Sequence, residues 1–344
     1  MLGKISVKYL SLLVTIGLLA LMYGFGSFMY TGFLSPQVFL NLFIDNAFLG
    51  VTAVGMTFVI ISGGIDLSVG SVIALTTMVA AHCLEVSHWN PALVILLCLF
   101  IGSLLGLGMG CLIHFFELPP FIVTLAGMFL ARGLCYVISI NTIPITNAFC
   151  TKVSQYRIPI IGDAFISPNV IILAVVVLAA IYLAHYTRFG RTVYAIGGNE
   201  QSAVLMGLPV ARTKVLIYTL NGFLSAVAGI VFTFYMLSGY GLHAVGMEMD
   251  AIASVVIGGT LLSGGVGYVF GTLFGVLILG TIQTLIVFQG TLSSWWTKIV
   301  IGVLLFLFCL LQRLFETGKG LKIKAKPAEA KPDPEPGALQ PHPR

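Results

Sequence analysis

An all-α polytopic membrane protein of about ten transmembrane helices, with both termini cytoplasmic, is the fold class that this sequence predicts. Three observations predict it. Of 344 residues, 58% are hydrophobic and only 8% are charged, against about 25% charged in ordinary soluble domains, and one soluble core could not bury that excess. Apolar runs of roughly 20 residues, the length that crosses a bilayer, recur along the chain. Lys and Arg then fall almost wholly on one side of the topology that those runs define.

The spans follow in order. The run 9–30 lacks a small-residue cleavage site, so it reads as a retained helix and not a signal peptide. The span 40–62 carries Asp45 and Asn46 in its outer part and ends at Ser62-Gly63-Gly64. The short span 68–84 starts beyond Asp66. Span 91–114 holds Gly102, Gly106, Gly108 and Gly110, a small-residue pattern for close helix packing, and 266–287 with its border repeats it at Gly267, Gly271, Gly275 and Gly280. Span 120–139 carries Arg132. Spans 168–186, 214–238 and the short 250–264 follow, and 295–312 opens on Trp295, Trp296 and Lys298, the residue types of an interfacial anchor.

Ten spans put the termini on one side. With that side cytoplasmic, Lys4, Lys8, Arg188, Arg191, Arg212, Lys214, Arg313 and the basic residues beyond it lie inside, and only Lys152 and Arg157 occupy outer loops. The chain divides into a transmembrane domain, 1–318, interrupted by a cytoplasmic loop, 187–213, and a Pro-rich polar tail, 319–344, expected to be disordered because it has almost nothing apolar to bury. The net charge of +5 thus reports orientation and gives no basis for nucleic-acid binding. Six cysteines at no metal-ligand spacing, and histidines without a pair at helical spacing, predict no metal site and no cofactor.

Ser62-Gly63-Gly64-Ile65 recurs as Ser263-Gly264-Gly265-Val266, each copy following an apolar run opened by an aspartate, Asp45 and Asp250. The echo suggests two related halves, a plan common in transporters. Gly63, Gly64, Gly264 and Gly265 are therefore the expected helix breaks, since adjacent glycines permit backbone angles that other residues avoid. Asp66 or Ser68 can cap the helix beyond. Two readings stand: a capped cytoplasmic turn, or a discontinuous helix whose exposed backbone lines a polar cavity. Asp45, Asn46, Asp66 and Arg132 are the candidates for a solute path, because ionisable groups in a bilayer are functional candidates by default. Interfacial capping for Asp45, and pairing with a carboxylate for Arg132, are the structural alternatives.

In the cytoplasmic loop, Asn199 predicts an N-cap, Glu200 suits the positive end, Ala203, Val204 and Met206 give an apolar face, and Gly207 before Pro209 ends the helix. So short a helix is unstable alone. It needs lipid, the membrane domain or a soluble partner to lie on.

The segments Ala53 to Thr57, Ser62 to Ser71, Thr124 to Met128 with Arg132-Gly133, Arg188 to Gly207, and Asp250 to Thr260 together resemble the permease family of bacterial ABC sugar importers of the ribose and galactose type. Within that family, Asp45 to Ala74, Ile257 to Gly265 and Gly290 to Lys298 are most similar to permeases of the galactofuranose importer. The resemblance implies a bacterial inner-membrane protein that works by alternating access. Its implied partners are a cytoplasmic ATP-binding subunit, a periplasmic sugar-binding protein and a second permease subunit, with Asn199, Glu200, Ala203 and Gly207 marking the helix that docks on the ATPase. Many members have Ser after Gly-Gly-Thr and a basic residue after the second Ser-Gly-Gly, where this chain has Leu261 and Val266. No P-loop occurs, so ATP chemistry belongs to another subunit and the chain itself is not an enzyme. The competing reading is an ion-coupled secondary transporter in which Asp45 and Asp66 handle the ion.

Overall fold

A computed structural model describes residues 7–323 apart from 292 and 294, with side chains described between 12 and 310 apart from 161, 292 and 294. The helix α1 (Val7–Met29) is followed by α2 (Pro36–Asp45) and α3 (Ala47–Ile61), one expected span bent by 54°. Ser35 caps α2 through the Val38 amide, and Pro36 supplies a helical φ at the first position. The bend lies at Asn46, whose Nδ2 donates back to the Leu42 carbonyl at 2.9 Å.

Helix α4 (Val69–Ala81) runs into a π-helical turn, His82–Val86. Then come α5 (Pro91–Phe115) and α6 (Pro120–Ile138). The next connection holds β1 (Ile143–Pro144), α7 (Ala148–Gln155) and a hairpin of β2 (Ile158–Ile161) with β3 (Ala164–Ile166). Helix α8 (Pro168–Tyr186) leads to α9 (Arg188–Gly198), α10 (Glu200–Leu205) and α11 (Val210–Met236). The chain closes with β4 (Ser238–Gly239), α12 (Met247–Ile257), α13 (Val269–Gln289) and α14 (Trp295–Ile323). Among the described residues seven helical segments are long and apolar enough to cross a membrane, and the α2–α3 pair makes eight.

Helix α11 is the hub, packed on α3, α4 and α5. Its seam with α5 is built from glycine: a Cβ on Gly102 would lie 2.6 Å from the Gly222 carbonyl oxygen, one on Gly110 2.9 Å from that of Val215, and Gly106 sits against Tyr218. Backbones approach this closely only where side chains are missing. Gly108, grouped with them in the sequence pattern, faces open space. Helix α3 is buried on every side, with Met56, Phe58 and Ile60 all under 2% exposed, as a helix apolar all round should be.

Three features depart from expectation. The eighth span, expected over 250–264, is helical only over Met247–Ile257, 11 residues or about 16 Å, because Gly258-Gly259 stops it. The loop 187–213 contains α9 before the expected short helix, capped by the Thr187 hydroxyl on the Gly190 amide. The tail expected from 319 is still helical to Ile323, and residues 324–344 lie outside the described residues.

Candidate functional site

Three helices stop in the same way. At the end of α3 the Gly63 amide donates to Ile60 and the Gly64 amide to Val59, with Gly63 at φ +81°. At the end of α12 Gly259 donates to Val256 and Thr260 to Val255, with Gly259 at φ +94°. At the end of α10 Gly207 donates to Val204 and Leu208 to Ala203, with Gly207 at φ +73°. Each is a Schellman stop requiring a left-handed residue, which glycine adopts without strain. The hydrogen-bonding counterpart of Gly63 is thus Gly259, not the Gly264 that the sequence echo aligns with it.

The echoed motif nevertheless meets its partner in space. The Gly265 amide donates to the Ile61 carbonyl at 2.8 Å. A Cβ on Gly264 would fall 2.9 Å from the Gly63 nitrogen and 3.1 Å from the Gly197 carbonyl oxygen, and one on Gly265 3.0 Å from Gly198. The end of α9 therefore rests backbone to backbone on the α3 stop and on the turn between α12 and α13. Every Gly-Gly pair in the sequence (63–64, 197–198, 258–259 and 264–265) lies in this junction or stops a helix that feeds it.

From the junction, the segment 64–68 leads up to α4. Asp66 is fully buried; its Oδ1 accepts the Ser68 amide at 2.8 Å and the Ser68 hydroxyl at 2.6 Å, and its Oδ2 accepts Nδ2 of Asn221 at 2.7 Å. Asn221 lies 221 − 210 = 11 residues into α11, about 16 Å from its start. A surface turn would leave this carboxylate wet. The break is instead packed inside the protein, and α4 starts there. Gly70, in its first turn, abuts the Ala244 carbonyl and the side chains of Met247 and Glu248, so the short helices α4 and α12 begin side by side.

The other candidates are scattered around this crossing. Asp45 is exposed and accepts the Tyr235 hydroxyl at 3.3 Å; Asn46 is buried at the bend and faces Gly280. Arg132, expected to pair with a carboxylate, donates from one guanidinium nitrogen to the carbonyls of Gly241 and His243, both at 2.7 Å, and so fixes the chain entering α12. Asp250 pairs with Lys298 at 2.6 Å. On α10, Asn199 accepts the Ser202 amide at 2.7 Å, Glu200 bridges to Lys214 at 2.6 Å, and Ala203 is buried. Val204, Leu205 and Met206 are exposed by 56%, 88% and 66%, which leaves an apolar tip pointing outward. Residue-level reading missed Tyr218, Asn221, Gly197 and Gly198; a lone Asn inside the apolar run 214–238 and a third Gly-Gly pair were the signals available.

The family model described as "Branched-chain amino acid transport system / permease component" matches residues 38–309, which take in the junction, the broken helices and the α9–α10 pair. The chain belongs to this permease family. The permease is 53% identical over 306 residues to the inner membrane ABC transporter permease protein YjfF of Escherichia coli (strain K12), covering 89% of this chain and 92% of that one. It is 44% identical over 296 residues to the fructose import permease protein FruG of Bifidobacterium longum (strain NCC 2705), covering 84% and 85%. To the ribose import permease protein RbsC of Bacillus subtilis (strain 168) it is 42% identical over 292 residues, covering 83% and 88%. No solved structure matches the permease.

Proposed function

We propose that this permease is the membrane subunit of an ATP-driven sugar importer of the bacterial inner membrane, carrying a hexose such as galactofuranose by alternating access. It acts with a cytoplasmic ATP-binding subunit, a periplasmic sugar-binding protein and a second permease subunit. One observation carries the mechanism: the backbone contact of α9 with both helix breaks joins a cytoplasmic helix pair to the crossing of α4 and α12. The relatives named for fructose and ribose import support the substrate class. In this reading ten segments enter the membrane, α12 as a half-depth helix, with both termini and the loop 187–213 in the cytoplasm and the tail beyond α14 in solution.

The apolar tip of α10 docks in the ATPase, since an exposed Val204-Leu205-Met206 on a charged loop is a protein-facing surface. ATP-driven closure of the ATPase pair shifts α10, and α9 transmits the shift to Ile61 and Gly265. Because packed backbone does not deform continuously, α4 and α12 exchange one discrete arrangement for another. Solute then passes between α4 and α12, where Arg132 and Glu248 supply polar groups, while the buried Asp66–Asn221 pair braces the break. The ion-coupled alternative is disfavoured by the three hydrogen bonds that already satisfy Asp66. Reconstituted with its ATPase and binding protein, Leu205→Asp with Met206→Asp should abolish sugar-stimulated ATP turnover. Uptake that survives without ATP but collapses with an ion gradient would sink the proposal.

A further inference from the structure

A cleft of about 540 Å³ opens between the first turns of α9 and α11, lined by Arg188, Phe189, Arg191, Thr192, Arg212, Thr213 and their neighbours. All three arginines are exposed, and among the described residues none has a carboxylate within ion-pair distance, since Glu200 is taken by Lys214. Three uncompensated guanidinium groups at one opening form a site for a multivalent anion, with Arg suited to grip phosphate through two donors at once. Both helices point their positive ends at the same opening. Thr213 supplies an independent sign. It is 4% exposed, and while Thr219 and Thr233 on the same helix bond back to the carbonyl four residues earlier, Thr213 makes no side-chain hydrogen bond to a described residue. Its hydroxyl is free for something inside the cleft.

The walls say what carries the anion. Leu216 lines the cleft beside Arg212, and beyond the cleft Phe223 continues the same exposed face of α11; the two are 42% and 37% accessible. The stretch from 212 to 223 rises 11 residues, about 16 Å, close to the half-thickness of the hydrocarbon core. Tyr182 and Tyr186 at the end of α8, exposed and stacked at 5.9 Å just before Arg188, are the residues expected at headgroup level. A soluble phosphate or an acidic side chain would use the arginines but not an apolar wall one leaflet long. We propose that this cleft binds an anionic phospholipid, its phosphate between Arg188, Arg191 and Arg212 and an acyl chain along Leu216 and Phe223. The inference depends on the chain spanning a membrane and is independent of which solute it carries.

Native mass spectrometry of the purified complex of permease and ATPase, titrated with phosphatidylglycerol, phosphatidylcholine or glycerol 3-phosphate, tests it. Phosphatidylglycerol should be retained and the other two not, and Arg188→Gln with Arg191→Gln and Arg212→Gln should weaken retention by more than about tenfold. Thr213→Val, which leaves charge and volume almost unchanged, should weaken it by a few fold and guards against misfolding of the triple variant. Parent-like retention in both variants overturns the site. Glycerol 3-phosphate bound as well as phosphatidylglycerol would make it a soluble-phosphate site and overturn the lipid. Loss of the ATPase from the triple variant with phosphatidylglycerol still bound would make the cleft a protein-docking surface, which also overturns it.

Discussion

Gly197 is where the proposed coupling can be broken with one methyl group. A Cβ there would stand 2.5 Å from the Gly265 nitrogen and 2.9 Å from the Ile61 carbonyl carbon, with the Ile61 oxygen closer still. Ordinary contact begins at 3.4 Å, so Gly197→Ala demands a displacement of at least 3.4 − 2.5 = 0.9 Å. Every atom in the way is backbone, so no side chain can rotate to make room. The displacement separates α9 from the junction or breaks the Gly265 to Ile61 hydrogen bond. Overpacking costs about 1–3 kcal/mol and the hydrogen bond about 1, together roughly 2–4 kcal/mol. Gly198, one residue on, has nothing within 4 Å of its Cβ position, so Gly198→Ala should stay within about 0.5 kcal/mol. The assay pairs thermal unfolding of the permease with sugar-stimulated ATP turnover of the reconstituted complex. Gly197→Ala should lose stability and at least about tenfold in stimulation, a change worth about 1.4 kcal/mol, while Gly198→Ala keeps both. Parent-like behaviour of Gly197→Ala, or equal damage from the two variants, would refute the reasoning.

Other substitutions separate roles nearby. Asp66→Leu strands Nδ2 of Asn221 and the Ser68 amide, at about 1–3 kcal/mol each, whereas Asp66→Asn keeps an Oδ1 for Ser68 and, once the Asn221 amide turns over, donates to the Asn221 Oδ1 that has no partner among the described residues, and should cost less than about 1.5 kcal/mol; denaturant midpoints in one detergent compare them. Arg132→Met removes both bonds to the chain entering α12 and should destabilise by roughly 2 kcal/mol and slow uptake with ATPase assembly intact, with Arg132→Lys between; thermal unfolding and vesicle uptake decide. Burial, with Glu85 nearby, pushes the Cys150 thiol in α7 up to about 11. At pH 8 its thiolate fraction is then about 10⁻³, so maleimide labelling should be slow and should rise about tenfold per pH unit until near pH 11. Rapid labelling at pH 8 would show that α7 opens.

The parts of this fold legible in the sequence were those set by local chemistry. Most helix positions follow from apolar runs, and the α10 ends from Asn199 and Gly207, because each depends on a few neighbouring residues. The same holds for the stop at Gly63. What could not be read there is which distant backbones meet. Ser263-Gly264-Gly265 looks like Ser62-Gly63-Gly64, yet the hydrogen bonds pair Gly63 with Gly259, because a helix stop is defined by carbonyls three and five residues back and not by the Ser-Gly-Gly letters. Asp66 likewise depended on Asn221, 155 residues away. Arg132 was legible as a buried cation but not in its partners, since backbone carbonyls carry no residue identity.

The glycine junction also bears on why coupling in this permease should run through backbone. A side-chain contact between α9 and the helix breaks could slip by a rotamer change, which costs at most about 1.5 kcal/mol, and the motion of α10 would be absorbed there. Backbone packed on backbone has no such soft coordinate. The Schellman stops at Gly63 and Gly259 fix how α3 and α12 end, and the Gly265 to Ile61 hydrogen bond ties the α3 stop to the turn that follows the α12 stop. A shift of α9 must therefore move both at once or break them. Since the segment beyond Gly63 leads to α4, and α12 begins against Gly70 in α4, each end of the crossing is held by the same junction. One displacement of α9 thus reaches α4 and α12 together, and a single-site change such as Gly197→Ala should impair both rather than leave one working.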